Sequence, residues 1–131
     1  MYKRQPYKVE FPMCQNPLIS KYEMLEELKN EGIEIPRLYK LGFSHNNCKG
    51  CCFKAGIGHF KLLLEKDRIT YLEFENKEQL LRKKLNKDVS ILKRKGKTFT
   101  LRQLRGLIEN TPEQLSLFEC SDFGGCGCFM E

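Results

Sequence analysis

Two groups of cysteines stand far apart in this sequence: Cys48, Cys51 and Cys52 in CKGCC, and Cys126 and Cys128 in FGGCGCF. If both groups serve one site, the C-terminal stretch must fold back onto the middle of the chain. That requirement constrains the fold more than any hydrophobic periodicity does. The chain carries seven cysteines in 131 residues, and an odd count argues against a complete disulfide framework. No apolar run approaches the roughly 18 residues of a membrane helix, and no apolar h-region follows the first residues. The expectation is a cytoplasmic chain with reduced thiols and no membrane contact.

Cys48 and Cys52 are four apart, so on a helical turn their thiols share one face. Cys126 and Cys128 are two apart, and the glycines at 124, 125 and 127 leave a turn free to present both sulfurs. Together the two pairs supply four thiolates, the donor set of a structural zinc ion or an iron–sulfur cluster. The residues do not choose between those two. Redox-active thiols and unliganded buried cysteines are the alternatives. Cys51 is a further thiol that could replace Cys52 if the turn is not helical. Cys14, after Pro12, either faces a cleft or is a small buried hydrophobe. Cys120 has acidic neighbours in Glu119 and Asp122 and is left out of the set. His45, three residues before Cys48, reads as a ligand, a proton donor or only a loop residue. Asn46 and Asn47 suit turns or helix caps, and His59 reads as a structural histidine.

The local patterns predict an α+β chain, mostly helical, with an N-terminal extended strand and a β-hairpin. Residues 7 to 13 (YKVEFPM) alternate as a strand that Pro12 confines to an edge or an end. Ser20 and Glu23 form a capping box ahead of a helix carrying Met24, Leu25 and Leu28, which Gly32 closes. Pro36 opens a short helix through Leu41, ended by Gly42. SHNNCKGCCFKAG reads as a polar loop entering a helix through HFKLLLEK, with Phe53, Phe60, Leu63 and Leu64 as its apolar stripe and Gly56 allowing close approach of a neighbour. A further helix runs from Asn76 to Asn86 with Leu80, Leu81 and Leu85 inward. VSILKRKGKTFTL gives two strands about Gly96. Thr100 and Gln103 repeat the capping pattern before Leu101, Leu104, Leu107 and Ile108. After Pro112 periodicity is weak. With 40% hydrophobic residues, the chain supports one modest core, so residues 6–131 are expected to be a single cysteine-rich domain or part of one.

The net charge of +6 is concentrated. Between Arg82 and Arg105 ten basic residues face one acid, Asp88. Such a block can attract nucleic acid or phosphate, although a solvated helix face and turn produce the same count and are the commoner origin of it.

With these residues in view, the chain resembles the C-terminal part of a bacterial and phage group within the phosphoadenosine phosphosulfate reductase-like family of PP-loop ATP pyrophosphatases, also called adenine nucleotide alpha hydrolases. The resemblance is carried by PYKVEFPMC, PRLYKLGFSHNNCKGCCFKAGIGHFKLLLEK, NKDVSILKR, TLRQLR and FGGCGCF. In that group's pattern Cys14, Cys48, Cys52, Cys126 and Cys128 fall on recurring cysteines. The resemblance implies the C-terminal part of an α/β enzyme that binds ATP or a related adenine nucleotide and cleaves at the α-phosphate, adenylating a substrate or transferring sulfur. The family's serine–glycine–glycine–x–aspartate–serine phosphate loop has no counterpart in this sequence, nor has the glutamate–cysteine–glycine–leucine–histidine motif of true sulfonucleotide reductases. The expectation is a metal-site-bearing portion, inactive alone, with the nucleotide held by an N-terminal region upstream and with His45, Asn47 and Lys54 as candidate substrate contacts. Residues 1–5 (MYKRQ) resemble a translated transposase-end adapter, which would make them a non-native leader; the other reading is a genuine polar N-terminus. The alternative is a non-enzymatic zinc-stapled module that binds nucleic acid through Arg82 to Arg105.

Overall fold

The first helix, α1 (Lys21–Asn30), starts where the sequence says it should. Ser20 Oγ accepts from the Glu23 amide, and the Glu23 carboxylate accepts from the Ser20 amide at 2.6 Å, so two orphan donors are satisfied together. At its end the Ile33 amide returns to the Leu28 carbonyl and the Gly32 amide to Lys29, the paired bonds of a Schellman motif. Met24, Leu25 and Leu28 are half-buried.

We describe residues 10–11, 14–46 and 48–124 in a computed structural model of the chain. The chain divides into two units, Met1–Ile35, which holds α1, and Pro36–Glu131. The strand expected over residues 7 to 13 falls mostly outside the described residues, and Glu10 and Phe11 are not in a strand. No helix among the described residues is long and apolar enough to cross a membrane.

In the second unit α2 (Arg37–Lys40) ends on another Schellman pair, Phe43 to Leu38 and Gly42 to Tyr39, and both Leu38 and Phe43 are buried. Next come α3 (Ile57–Lys66), α4 (Arg68–Leu85), strands β1 (Leu92–Arg94) and β2 (Lys97–Phe99), α5 (Leu101–Asn110) and α6 (Leu117–Ser121). The described chain is therefore mostly helical, with one two-stranded antiparallel sheet. Lys95 and Gly96 both have positive φ, as a two-residue hairpin turn requires, and Leu92 pairs with Phe99. The Thr100–Gln103 capping box forms as expected.

Helix α3 lies at the centre, packed against α4, α5 and α6. Phe60, Leu63, Tyr71, Leu101 and Leu104 are fully buried, and Leu38, Phe43, Leu92 and Phe99 join them. The Tyr71 hydroxyl donates to the Leu101 carbonyl at 2.7 Å, which ties α4 to α5 and leaves no buried polar atom unpaired there.

Three expectations need correcting. Helix α3 begins at Ile57 rather than near the cysteines, and Phe53 is 74% exposed rather than part of its stripe. Helix α4 begins at Arg68, well before Asn76, and its buried positions are Tyr71, Glu75 and Glu78. Leu80, Leu81 and Leu85 are exposed at 65%, 50% and 47%. At about 100° per residue, Leu80 points away from the buried stripe, while Leu81 and Leu85 lie beside it with Phe74. The third correction is α6, opened by a Ser116–Glu119 capping box where periodicity predicted nothing regular.

Candidate metal centre

Cys48 opens a tight turn, Cys48–Gly50, that is not a right-handed helix. Cys48 and Lys49 have φ of 54° and 52°, and Gly50 follows at 81°. Left-handed backbone costs an ordinary residue roughly 1–2 kcal/mol, so the turn must be held by its surroundings. Two contacts hold it. The Cys51 amide closes onto the Cys48 carbonyl at 2.9 Å, and the Gly50 carbonyl accepts from His59 Nε2 at 2.6 Å. A carbonyl can only accept, so Nε2 carries the proton. Burial pushes the His59 pKa below its ordinary value and keeps the ring neutral in this role, while the Gly50 bond opposes that shift. The ring also meets Phe43 edge-on at 4.9 Å.

The turn sorts the three upstream cysteines. Cys48 is exposed, Cys52 is half-buried, and Cys51 points into the core at 8% exposure. Burial pushes the Cys51 thiol up to about 12, so it remains a protonated, core-packed thiol at neutral pH. Because the turn is left-handed, the helical argument for Cys48 and Cys52 sharing a face does not hold. What they share is the two ends of one clamped loop.

The end of the described chain comes in against the residues that follow this loop. The Gly58 amide donates to the Asp122 carbonyl at 2.7 Å, at the first turn of α3. Asp122 lies so close to Gly56 that a Cβ there would collide with its carboxylate and carbonyl, which is the close approach expected of this glycine. Gly124, at φ +69°, sits against the Lys54 carbonyl and the Gly56 amide with no space for a side chain. Residues 54 to 56 follow one residue after Cys52, whose carbonyl accepts from the Ala55 amide at 3.0 Å. The described chain thus stops beside the cysteine loop, two residues before Cys126.

Cys126 and Cys128 lie outside the described residues, as does Asn47. Among the described residues no group of three or more metal-ligating side chains stands together. Cys48 and Cys52 alone make two thiols of the four expected, and the other two, Cys126 and Cys128, are not described. An all-thiolate set of four fits zinc or an iron–sulfur cluster. His45 and Lys54 are exposed on either side of the loop. Asn46 acts as a cap, its side-chain oxygen accepting from the Leu38 amide at 3.2 Å. Cys14 is exposed in the first unit, not the buried hydrophobe that was one expectation.

Two contacts had no usable sequence signal. Lys61 Nζ reaches Cys120 Sγ at 3.4 Å, linking α3 to α6. Arg94 binds Glu119 through Nε at 2.6 Å and holds its carboxyl down at about 2. Arg82, Arg102 and Arg105 are likewise turned onto carboxylates, at Asp88, Glu75, and Glu75 with Glu109. Four of the ten basic residues in the Arg82 to Arg105 block are thus engaged within the fold, and the six lysines stand exposed.

No family profile, curated protein or solved structure matches this chain.

Proposed function

We propose that this chain is the metal-site-bearing, C-terminal portion of a phosphoadenosine phosphosulfate reductase-like PP-loop enzyme, with Cys48, Cys52, Cys126 and Cys128 binding zinc or an iron–sulfur cluster. The observation that carries the reading is the seating of Asp122 to Gly124 against residues 54 to 58. From Gly124, Cys126 lies within a reach of about 7 Å, at roughly 3.3–3.6 Å per residue. Glycine at 124 lets the chain come in at main-chain distance from the segment that follows Cys52.

The centre's role is structural. Thiolate–metal bonds would fasten the segment after Gly124 to the loop that His59 clamps, so binding energy becomes folding energy. His45, Asn47 and Lys54 are then the candidate contacts to the substrate. The adenine nucleotide, ATP or a relative, is held by the phosphate loop of the intact enzyme, and this portion alone does not turn it over.

Elemental analysis and visible absorption of anaerobically purified protein test the reading. Near-stoichiometric zinc, or iron with sulfide, is expected, and serine at 48, 52, 126 or 128 should each lower it sharply while Cys14→Ser and Cys120→Ser do not. Metal-free protein with every thiol titratable would defeat the reading. The nucleic-acid module is weaker because the block's four arginines are turned onto carboxylates. It requires affinity for RNA or DNA that falls steeply with salt, and a salt titration decides it.

A further inference from the structure

Beside the cysteine loop lies an apolar groove of about 370 Å³, walled by Phe53, Phe74, Leu81, Val89 and Ile91, with Lys77 on its rim. Its volume falls within the roughly 300–1,000 Å³ of sites that enclose a small ligand, so it has room for a large side chain and its neighbour. Phe53 and Leu81 are largely exposed in it, which leaves apolar surface in water. A second depression of about 270 Å³ adjoins it, sharing Phe53 and Ile91 and reaching Lys93 and Gly124.

We infer that the groove is the docking site for Phe129 and Met130 of this same chain. The described residues end at Gly124, on the wall of the depression that opens into the groove. Five residues further, Phe129 can reach up to about 17 Å, at roughly 3.3–3.6 Å per residue. Between 125 and 131, Phe129 and Met130 are the large apolar side chains, and they suit an apolar cavity. Met adapts to irregular gaps and its sulfur favours aromatic neighbours, here Phe53 and Phe74. Lys77, paired with Glu73 at 2.6 Å, lines the groove and Lys93 the adjoining depression, so the surroundings are basic where the acidic Glu131 would follow. The docking also matches the sequence about the thiols, since Cys52–Phe53 and Cys128–Phe129 each set a phenylalanine directly after a cysteine. It goes beyond the metal reading and does not require it.

The test is photocrosslinking of the whole chain with Phe129→p-benzoylphenylalanine, mapped by mass spectrometry, with metal content measured on the same sample. Adducts within one chain on residues 74–81 or 89–91 are expected, with the yield falling at least fivefold in a Leu81→Asp background that still folds by circular dichroism. Adducts between two chains, adducts elsewhere, or a yield indifferent to Leu81→Asp and to Ile91→Asp would overturn the inference. Groove adducts in a metal-free sample would sink the metal centre and leave the docking standing. A metal-replete sample with adducts elsewhere does the reverse.

Discussion

Gly58 and Asp122 are joined main chain to main chain at 2.7 Å, and this bond seats the end of the described chain on the first turn of α3. Gly124→Ala would add a Cβ against the Lys54 carbonyl at a left-handed position, an arrangement that costs roughly 1–2 kcal/mol before the collision is counted. Hydrogen exchange at the Gly58 amide should quicken about tenfold or more in this variant. Gly106 in α5 has no heavy atom near its would-be Cβ, so Gly106→Ala should instead stabilise the fold by about 0.5–1 kcal/mol in urea titrations.

Glu75 and Arg105 make a two-bond pair between α4 and α5, at 2.8 and 3.0 Å, with Glu75 almost wholly buried. Arg105 holds the Glu75 carboxyl below its ordinary value. A depressed carboxylate stabilises the fold fully above the unfolded value of about 4.5 and loses that contribution as pH falls through the lower folded value. Glu75→Gln should therefore cost about 2–3 kcal/mol at pH 7, the low end for a broken buried pair because Arg105 is partly exposed. The cost should shrink as unfolding is repeated at pH values falling from about 4.5.

His59 gives a second acid sensitivity, of the same sign but setting in nearer neutrality. Its neutral ring is buried and its pKa lowered, so the unfolded chain takes up the proton first. Stability is then full above about 6.5 and declines as pH falls toward the folded value. His59→Gln should flatten the slope of stability below about pH 6.5, and His59→Ala should cost about 1–3 kcal/mol by orphaning the Gly50 carbonyl.

Alkylation should rank the described thiols by access. Cys14 and Cys48 are exposed, whereas Cys51 is buried with its thiol raised to about 12. Mass-spectrometric footprinting of native protein at pH 8 should label Cys14 first and Cys51 last, with Cys48 protected only while metal is bound. Early labelling of Cys51 would contradict its place in the core.

The leucines at the end of α4 give a clean contrast. Leu80→Lys and Leu85→Lys should change stability by no more than about 0.5 kcal/mol, as exposed sites do. Leu63→Ala, at a fully buried site, should cost about 2–5 kcal/mol. Chemical denaturation of the three variants checks both statements.

What could be read in the sequence was local. Ser20–Glu23, Thr100–Gln103 and the Lys95–Gly96 turn satisfy their own amides, so their patterns carry their geometry. Ser116–Glu119 carries the same local pattern, but the residues after it lack the periodicity that marks a helix. The buried face of α4 was not readable, since Glu75 and Glu78 occupy it. Each is tolerated only through distant partners, Arg105 for Glu75 and the Ile91 and Leu101 amides for Glu78. Hydrophobic patterning instead selects Leu80, Leu81 and Leu85. The left-handed turn at Cys48 is hidden for the same reason, because His59, from another element, holds it.

Glu78 also has a practical consequence. Its two carboxylate oxygens take the Ile91 amide at 2.9 Å and the Leu101 amide at 2.8 Å, pinning both ends of the hairpin to one point on α4. The tip at Lys95–Gly96 carries neither anchor and is exposed. It is therefore the natural place to splice in a peptide tag or a fluorescent reporter, since extra length there loads neither root of the ribbon.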